Sequence, residues 1–128
     1  MSLVETLTQE HRTLEELADA LFKLAAERSK NFEPAAVVLF RAMYQHMVVE
    51  ERGPFVTFRS SAPGLIEELM SDHKRLYHEL GMQIRRAFDS GDNVKLVSTV
   101  RNLQDLLKAN HRREERLLFP QLAKTAVR

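Results

Sequence analysis

Four of the five histidines fall where an amphipathic helix would bury them. His11 continues a stripe with Val4, Leu7 and Leu14, and His46 follows Leu39 and Met43. His73 lies between Leu69 and Leu76, and His111 follows Leu103 and Leu107. Glu50 and Glu115 come four residues after His46 and His111, one helical turn on and on the same face. A single imidazole on an apolar face is ordinarily a hydrogen-bonded core residue. Four imidazoles and two carboxylates buried together are costly unless a partner balances them, and a bound cation does so. With no cysteine in the chain, thiolate metal sites, disulfides and cysteine nucleophiles are excluded. Imidazole with carboxylate suits Fe, Zn, Mn or Cu better than an all-oxygen cation such as calcium. So many ligands exceed the needs of one tetrahedral ion and fit two ions bridged by Glu50 and Glu115.

Placing one histidine from each stripe at a common point requires four helices. Ser2-Leu3-Val4-Glu5 has the form of a capping box and starts the first. Its pattern ends near Ser29–Asn31, and Glu33-Pro34 restarts it, with proline suited to a first turn. Gly53-Pro54 should kink or end the second helix, and Ser60-Ser61-Ala62-Pro63-Gly64 reads as a linker. The third is expected from about Pro63 to Phe88, closed by Ser90-Gly91-Asp92, a glycine stop followed by a new cap. Pro120 inside the fourth pattern predicts a kink or a shortened final turn. Four helices joined by short connections imply an all-α, antiparallel up-down-up-down bundle, with residues 1–128 as one domain. His73 and His111 lie at similar distances on either side of Gly91, a mismatch of roughly 3 Å at helical rise. A weak internal repeat agrees: Glu10-His11-Arg12-Thr13-Leu14 resembles Asp72-His73-Lys74-Arg75-Leu76, and His46-x-x-x-Glu50 resembles His111-x-x-x-Glu115.

The composition narrows the function further. Nineteen basic against eighteen acidic residues leave +1, without the basic excess of a nucleic-acid or anionic-membrane binder. Arg112, Arg113, Arg116 and Lys124 interleave with Glu114 and read as a solvated face. No apolar run is long enough for a membrane helix, and the acidic start does not read as a signal peptide. The expectation is a cytoplasmic protein, monomer or homodimer, with no nucleic-acid or membrane partner.

These residues together resemble the hemerythrin-like (HHE cation-binding) family over essentially the whole chain. The resemblance rests on Glu10-His11-Arg12, His46-x-x-x-Glu50-Glu51, Asp72-His73, His111-x-x-x-Glu115 and the run Glu114-Glu115-Arg116-Leu117-Leu118-Phe119-Pro120. It implies a hemerythrin-like bundle around a non-haem di-iron centre that binds O2 or reacts with nitric oxide or peroxide. It also admits an iron sensor or buffer acting through a protein partner, and so leaves open whether the chain is an enzyme. Two departures stand out. The family's second histidine on the third helix, in the form H-x-x-x-H, is replaced by Tyr77, with His78 one residue later. Tyr77 has the right phase, and a phenolate binds ferric iron; His78 is offset by roughly a further 100° and needs a local distortion to ligate. His111 is also one residue closer to Phe119-Pro120 than in the common family form, which puts Asn110 at the ligand position. The phase of His111 with Glu115 favours His111, with Glu114 as the reserve carboxylate. On this reading His11 and His46 hold one iron, and His73, His111 and either Tyr77 or His78 hold the other.

Overall fold

The computed structural model describes residues 2–126. Ser2 caps the first helix, its hydroxyl accepting from the Glu5 N–H at 3.1 Å. That helix, α1 (Leu3–Ala26), buries Leu7, His11, Leu14, Ala18, Leu21 and Ala25, the stripe read from the sequence. A turn through Arg28, in the left-handed region at φ 53°, leads to α2 (Phe32–Arg52). Gly53 then ends α2, and Pro54 opens a separate short helix, α3 (Pro54–Phe58), rather than merely kinking the second. Phe55 and Phe58 give α3 a buried face.

The third bundle helix begins as α4 (Pro63–Lys74), widens into a π turn over Arg75–Glu79, and resumes as α5 (Leu80–Ser90). The turn is marked by the Leu80 N–H reaching back five residues to the Arg75 carbonyl. Gly91 follows at φ 75°, where a Cβ would meet no neighbour but the backbone would be strained. Gly91→Ala is therefore expected to cost about 1 kcal/mol, read as a melting temperature a few degrees lower in a thermal scan. Asp92 caps α6 (Asn93–Arg113) by accepting from the Lys95 N–H at 3.1 Å. A second π turn, Glu114–Leu118, carries the chain into α7 (Phe119–Ala126). The sequence predicts a kink or a shortened final turn at Pro120; the helix instead runs on through it from Phe119 to Ala126, and the irregularity is the π turn just before it. A proline in a regular helix withholds one N–H and crowds the carbonyl four residues back. The π turn just before it widens the backbone there, with Phe119 bonding back to Glu114.

The result is an all-α four-helix bundle, in which α1 packs against α2 and α6, and α5 against α6. Its apolar interior is split into two layers. One, nearer the Asn31 and Gly91 turns, contains Leu14, Leu21, Met43, Leu76, Leu80, Val100 and Leu107. The other, at the α3 end, contains Leu7, Phe55, Phe58, Ile66, Leu69, Leu118 and Phe119. Each fully buried large apolar side chain stabilises the fold by about 1.5–3 kcal/mol. Such layers offset the cost of polar groups held between them. Along every bundle helix, a polar residue interrupts the stripe between the two layers: His11, His46 with Glu50, His73, and His111 with Glu114.

Candidate metal centre

Between the apolar layers, six titratable side chains lie almost wholly out of contact with solvent: His11, His46, Glu50, His73, His111 and Glu114. The two glutamates hold the group together. Glu50 sets Oε2 3.3 Å from His11 Nε2 and 3.2 Å from His46 Nε2, and Oε1 3.2 Å from His73 Nε2. Glu114 sets Oε1 2.9 Å from His11 Nε2 and Oε2 2.9 Å from His73 Nε2. Each carboxylate thus spans from the α1 side of the bundle to α4. His111 stacks on His11 with ring centroids 3.7 Å apart, and the ligand atoms of His11, His46 and His111 lie within 4.8 Å of one another. Phe119 covers His11 and Phe55 covers His73, at centroid separations of 5.2 and 5.0 Å.

Each histidine is aimed inward by a carboxylate behind it. His11 Nδ1 donates to Glu115, His46 Nδ1 to Glu10, His73 Nδ1 to Glu51 and His111 Nδ1 to Glu15, at 2.7–2.8 Å. A carboxylate has no proton to give, so the outer nitrogen is the donor and Nε2 is presented to the centre. This is the arrangement by which metal-ligating histidines are oriented and made more basic. Every such bond crosses between helices. Arg12 in turn pairs with both Glu15 and Glu115. Replacing Glu51 with alanine is expected to weaken metal binding about 10- to 100-fold, measurable by competition with a chelator of known affinity.

The electrostatics are those of a buried cluster in which imidazoles and carboxylates are tightly coupled. Burial disfavours a charged His11, yet the contacts with Glu114 and Glu50 prevail and raise it to about 10. His73 is likewise opposed by burial and raised to about 11 by Glu114, Glu50 and Glu51. His46 is raised against the same burial penalty by Glu50 and Glu10. His111 goes the other way, pushed down to about 2 by burial and by the charges of His11 and His46. Despite its burial, Glu50 is held well below the usual carboxylate range by three imidazoles, while burial and the neighbouring charge of Glu50 raise Glu114. Even so, His46 Nε2, Glu50 Oε1 and Glu114 Oε1 are buried without a hydrogen bond of acceptable geometry. Orphaned inward donors of this type fit a bound metal ion.

A model of the hemerythrin HHE cation-binding domain matches residues 64–128. The chain belongs to the hemerythrin HHE cation-binding family. No curated protein and no solved structure matches the chain. The matched segment holds His73, His111 and Glu114, whereas His11, His46 and Glu50 come from the half before it. The fold, not the match, brings those three beside His73, His111 and Glu114.

Of the residues read from the sequence, the structure gathers His11, His46, Glu50, His73 and His111 in one buried cluster. It does not bring Glu115 there. Glu114 takes the inner position, and Glu115, partly exposed, serves as the outer partner of His11. The seven-residue step from His111 to Leu118 divides into four and three or three and four equally well, and the π turn from Glu114 selects the latter. His111 also sits with His11 and His46 instead of joining His73. Tyr77 lies outside the cluster, its ring packed on Phe40 and Tyr44 at centroid separations of 6.2 and 5.5 Å. His78 is exposed beside it, because the widened turn over Arg75–Glu79 keeps neither residue in phase with His73. Asn110 is buried but turns aside to donate to Asp72 at 3.2 Å. The outer partners Glu10, Glu15 and Glu51 went unrecognised as such in the sequence. An acidic residue immediately beside an inward ligand, as at Glu10-His11 and Glu50-Glu51, is the signal that marks two of them.

Proposed function

We propose that residues 1–128 form one hemerythrin-like domain holding two non-haem iron ions, and that the centre binds O2 or reacts with nitric oxide or peroxide. The observation that supports this best is the double span: Glu50 and Glu114 each offer one oxygen beside His11 and the other beside His73. Two carboxylates disposed in this way suit a pair of ions, with His11, His46, His111 and His73 as the nitrogen ligands. Iron bound there supplies a redox-active Lewis acid for a small diatomic or peroxide ligand. The protein's own part is to aim the imidazoles through their outer carboxylates and to shield the centre with Phe55 and Phe119. Few donors on the His73 side leave coordination room for a small molecule.

Anaerobic reconstitution followed by metal analysis tests this reading. Two irons per chain are expected, with a visible spectrum that changes on exposure to O2, nitric oxide or peroxide. Fewer than two irons per folded chain would count against it. Tyr77→Phe is expected to leave the ferric spectrum unchanged, since the ring packs with Phe40 and Tyr44. Loss of a visible charge-transfer band in that variant would instead make Tyr77 a ligand.

A further inference from the structure

Apart from His46 in the core, α2 carries only Glu33 and Arg41 as charged residues between Phe32 and Val49. A helix so apolar on every side is ordinarily covered. Towards the third bundle helix α2 is left open, since among the described residues the two meet mainly at the π turn over Arg75–Glu79. The opening is a groove of two cavities, about 410 and 490 Å³, that share Tyr77 and His78. Phe40 lies in it against Gly81, where a Cβ would stand 3.1 Å from the ring. Val37, Tyr44 and Met82 line it about half exposed. Single exposed apolar residues are normal on a protein surface; a contiguous set around a groove marks an interaction site.

The two walls of the groove differ in charge. In the first cavity Glu33 of α2 stands across from Arg85 of α5, and in the second Tyr44 of α2 stands across from Lys74 of α4. Arg85 is paired at 3.2 Å with Asp89 on its own helix, and both are exposed. A face with a carboxylate and an aromatic ring on one wall, and cations at the same levels on the other, is complementary to itself. A two-fold axis parallel to the bundle lays each α2 along the third bundle helix of the other copy, without a shift in level. Glu33 then meets Arg85, and the Tyr44 ring meets the Lys74 ammonium. We propose that this groove is where a second copy of the chain docks, each copy covering the Val37, Tyr44 and Met82 side chains of the other. A small apolar molecule would fill the cavities but leave Glu33 and Arg85 unanswered; a second copy answers both, twice over.

Sedimentation equilibrium of the full chain at about 1 to 500 µM tests this. A reversible dimer is expected, at twice the 14.8 kDa chain mass. Glu33→Arg and Arg85→Glu each set like charges together twice, and each should weaken the dimer about tenfold or more. Mixed in equal amounts, the two variants regain both opposite-charge pairs as a heterodimer, and the double variant regains them in one chain. Met82→Glu should leave a monomer. All three positions are exposed, and circular dichroism confirms that each variant is folded. Recovery on mixing is the decisive result, because it requires Glu33 of one copy to face Arg85 of the other. A wild-type chain that stays monomeric throughout overturns the proposal and leaves the groove to a small apolar ligand or a different protein. A dimer indifferent to both reversals, or weakened by them without recovery on mixing, also overturns it, since the contact then lies on another face.

Discussion

Glu50→Ala destabilises the metal-free protein by about 3–5 kcal/mol, the usual cost of removing one partner from a buried ion pair. Glu50 is fully buried and touches imidazoles from three bundle helices, His11, His46 and His73. Without it, two imidazoles that the fold holds protonated lose a carboxylate partner, and Glu114 alone remains between them. Alanine also leaves a void where the fully buried side chain stood. Chemical denaturation in the presence of a chelator measures the loss. A change below about 1 kcal/mol would show that the cluster does not depend on this carboxylate. The same variant is expected to retain at most one metal ion, because both positions lose an oxygen at once.

Metal binding near pH 7 releases about two protons, and affinity rises about 100-fold per pH unit, tenfold for each proton displaced. The metal-free protein holds His11 at about 10 and His73 at about 11, so both are protonated at neutral pH. A metal needs the neutral imidazole and must displace those protons. The dependence continues upward until pH approaches 10. Stability of the metal-free chain runs in the opposite direction. Each of these groups is raised above its unfolded value of 6.5, so its stabilising contribution is complete below that value and is lost as pH rises towards 10 and 11. The metal-free protein should therefore soften in alkali while the loaded protein does not. Calorimetric titration in buffers of different ionisation enthalpy counts the protons, and thermal scans across pH 6–10 follow the stability. Binding that is flat with pH would mean that the imidazoles are already neutral.

Much of this centre was legible before any fold was known. The stripes through Leu7, Leu14, Leu69, Leu76, Leu103 and Leu107 place His11, His73 and His111 inward by periodicity alone, and the structure buries them there. His46 and Glu50 follow from the same reasoning on α2. Helix ends were legible where they depend on local chemistry, as at the Ser2 and Asp92 caps and the left-handed Gly91. What failed was phase across a π turn. Periodicity at 3.6 residues assigned Glu115 to the core and gave Tyr77 the ligand phase, and each assignment lies at or inside a widened turn.

The sequence by itself determined the donor chemistry: no cysteine, one inward imidazole per helix, and acidic residues near each of them. It determined the four-helix architecture as well, because amphipathic period and turn residues act over short stretches of chain. Tertiary structure alone decided which carboxylate turns inward, which imidazoles lie together, and which glutamate stands behind which histidine. Glu10 beside His11 supports His46, Glu51 supports His73, Glu115 supports His11 and Glu15 supports His111, every one of them across a helix boundary. Such pairings depend on the rotation and height of each helix against its neighbours. Those are set by the packing of two apolar layers and by two π turns, neither of which any single stretch of sequence encodes.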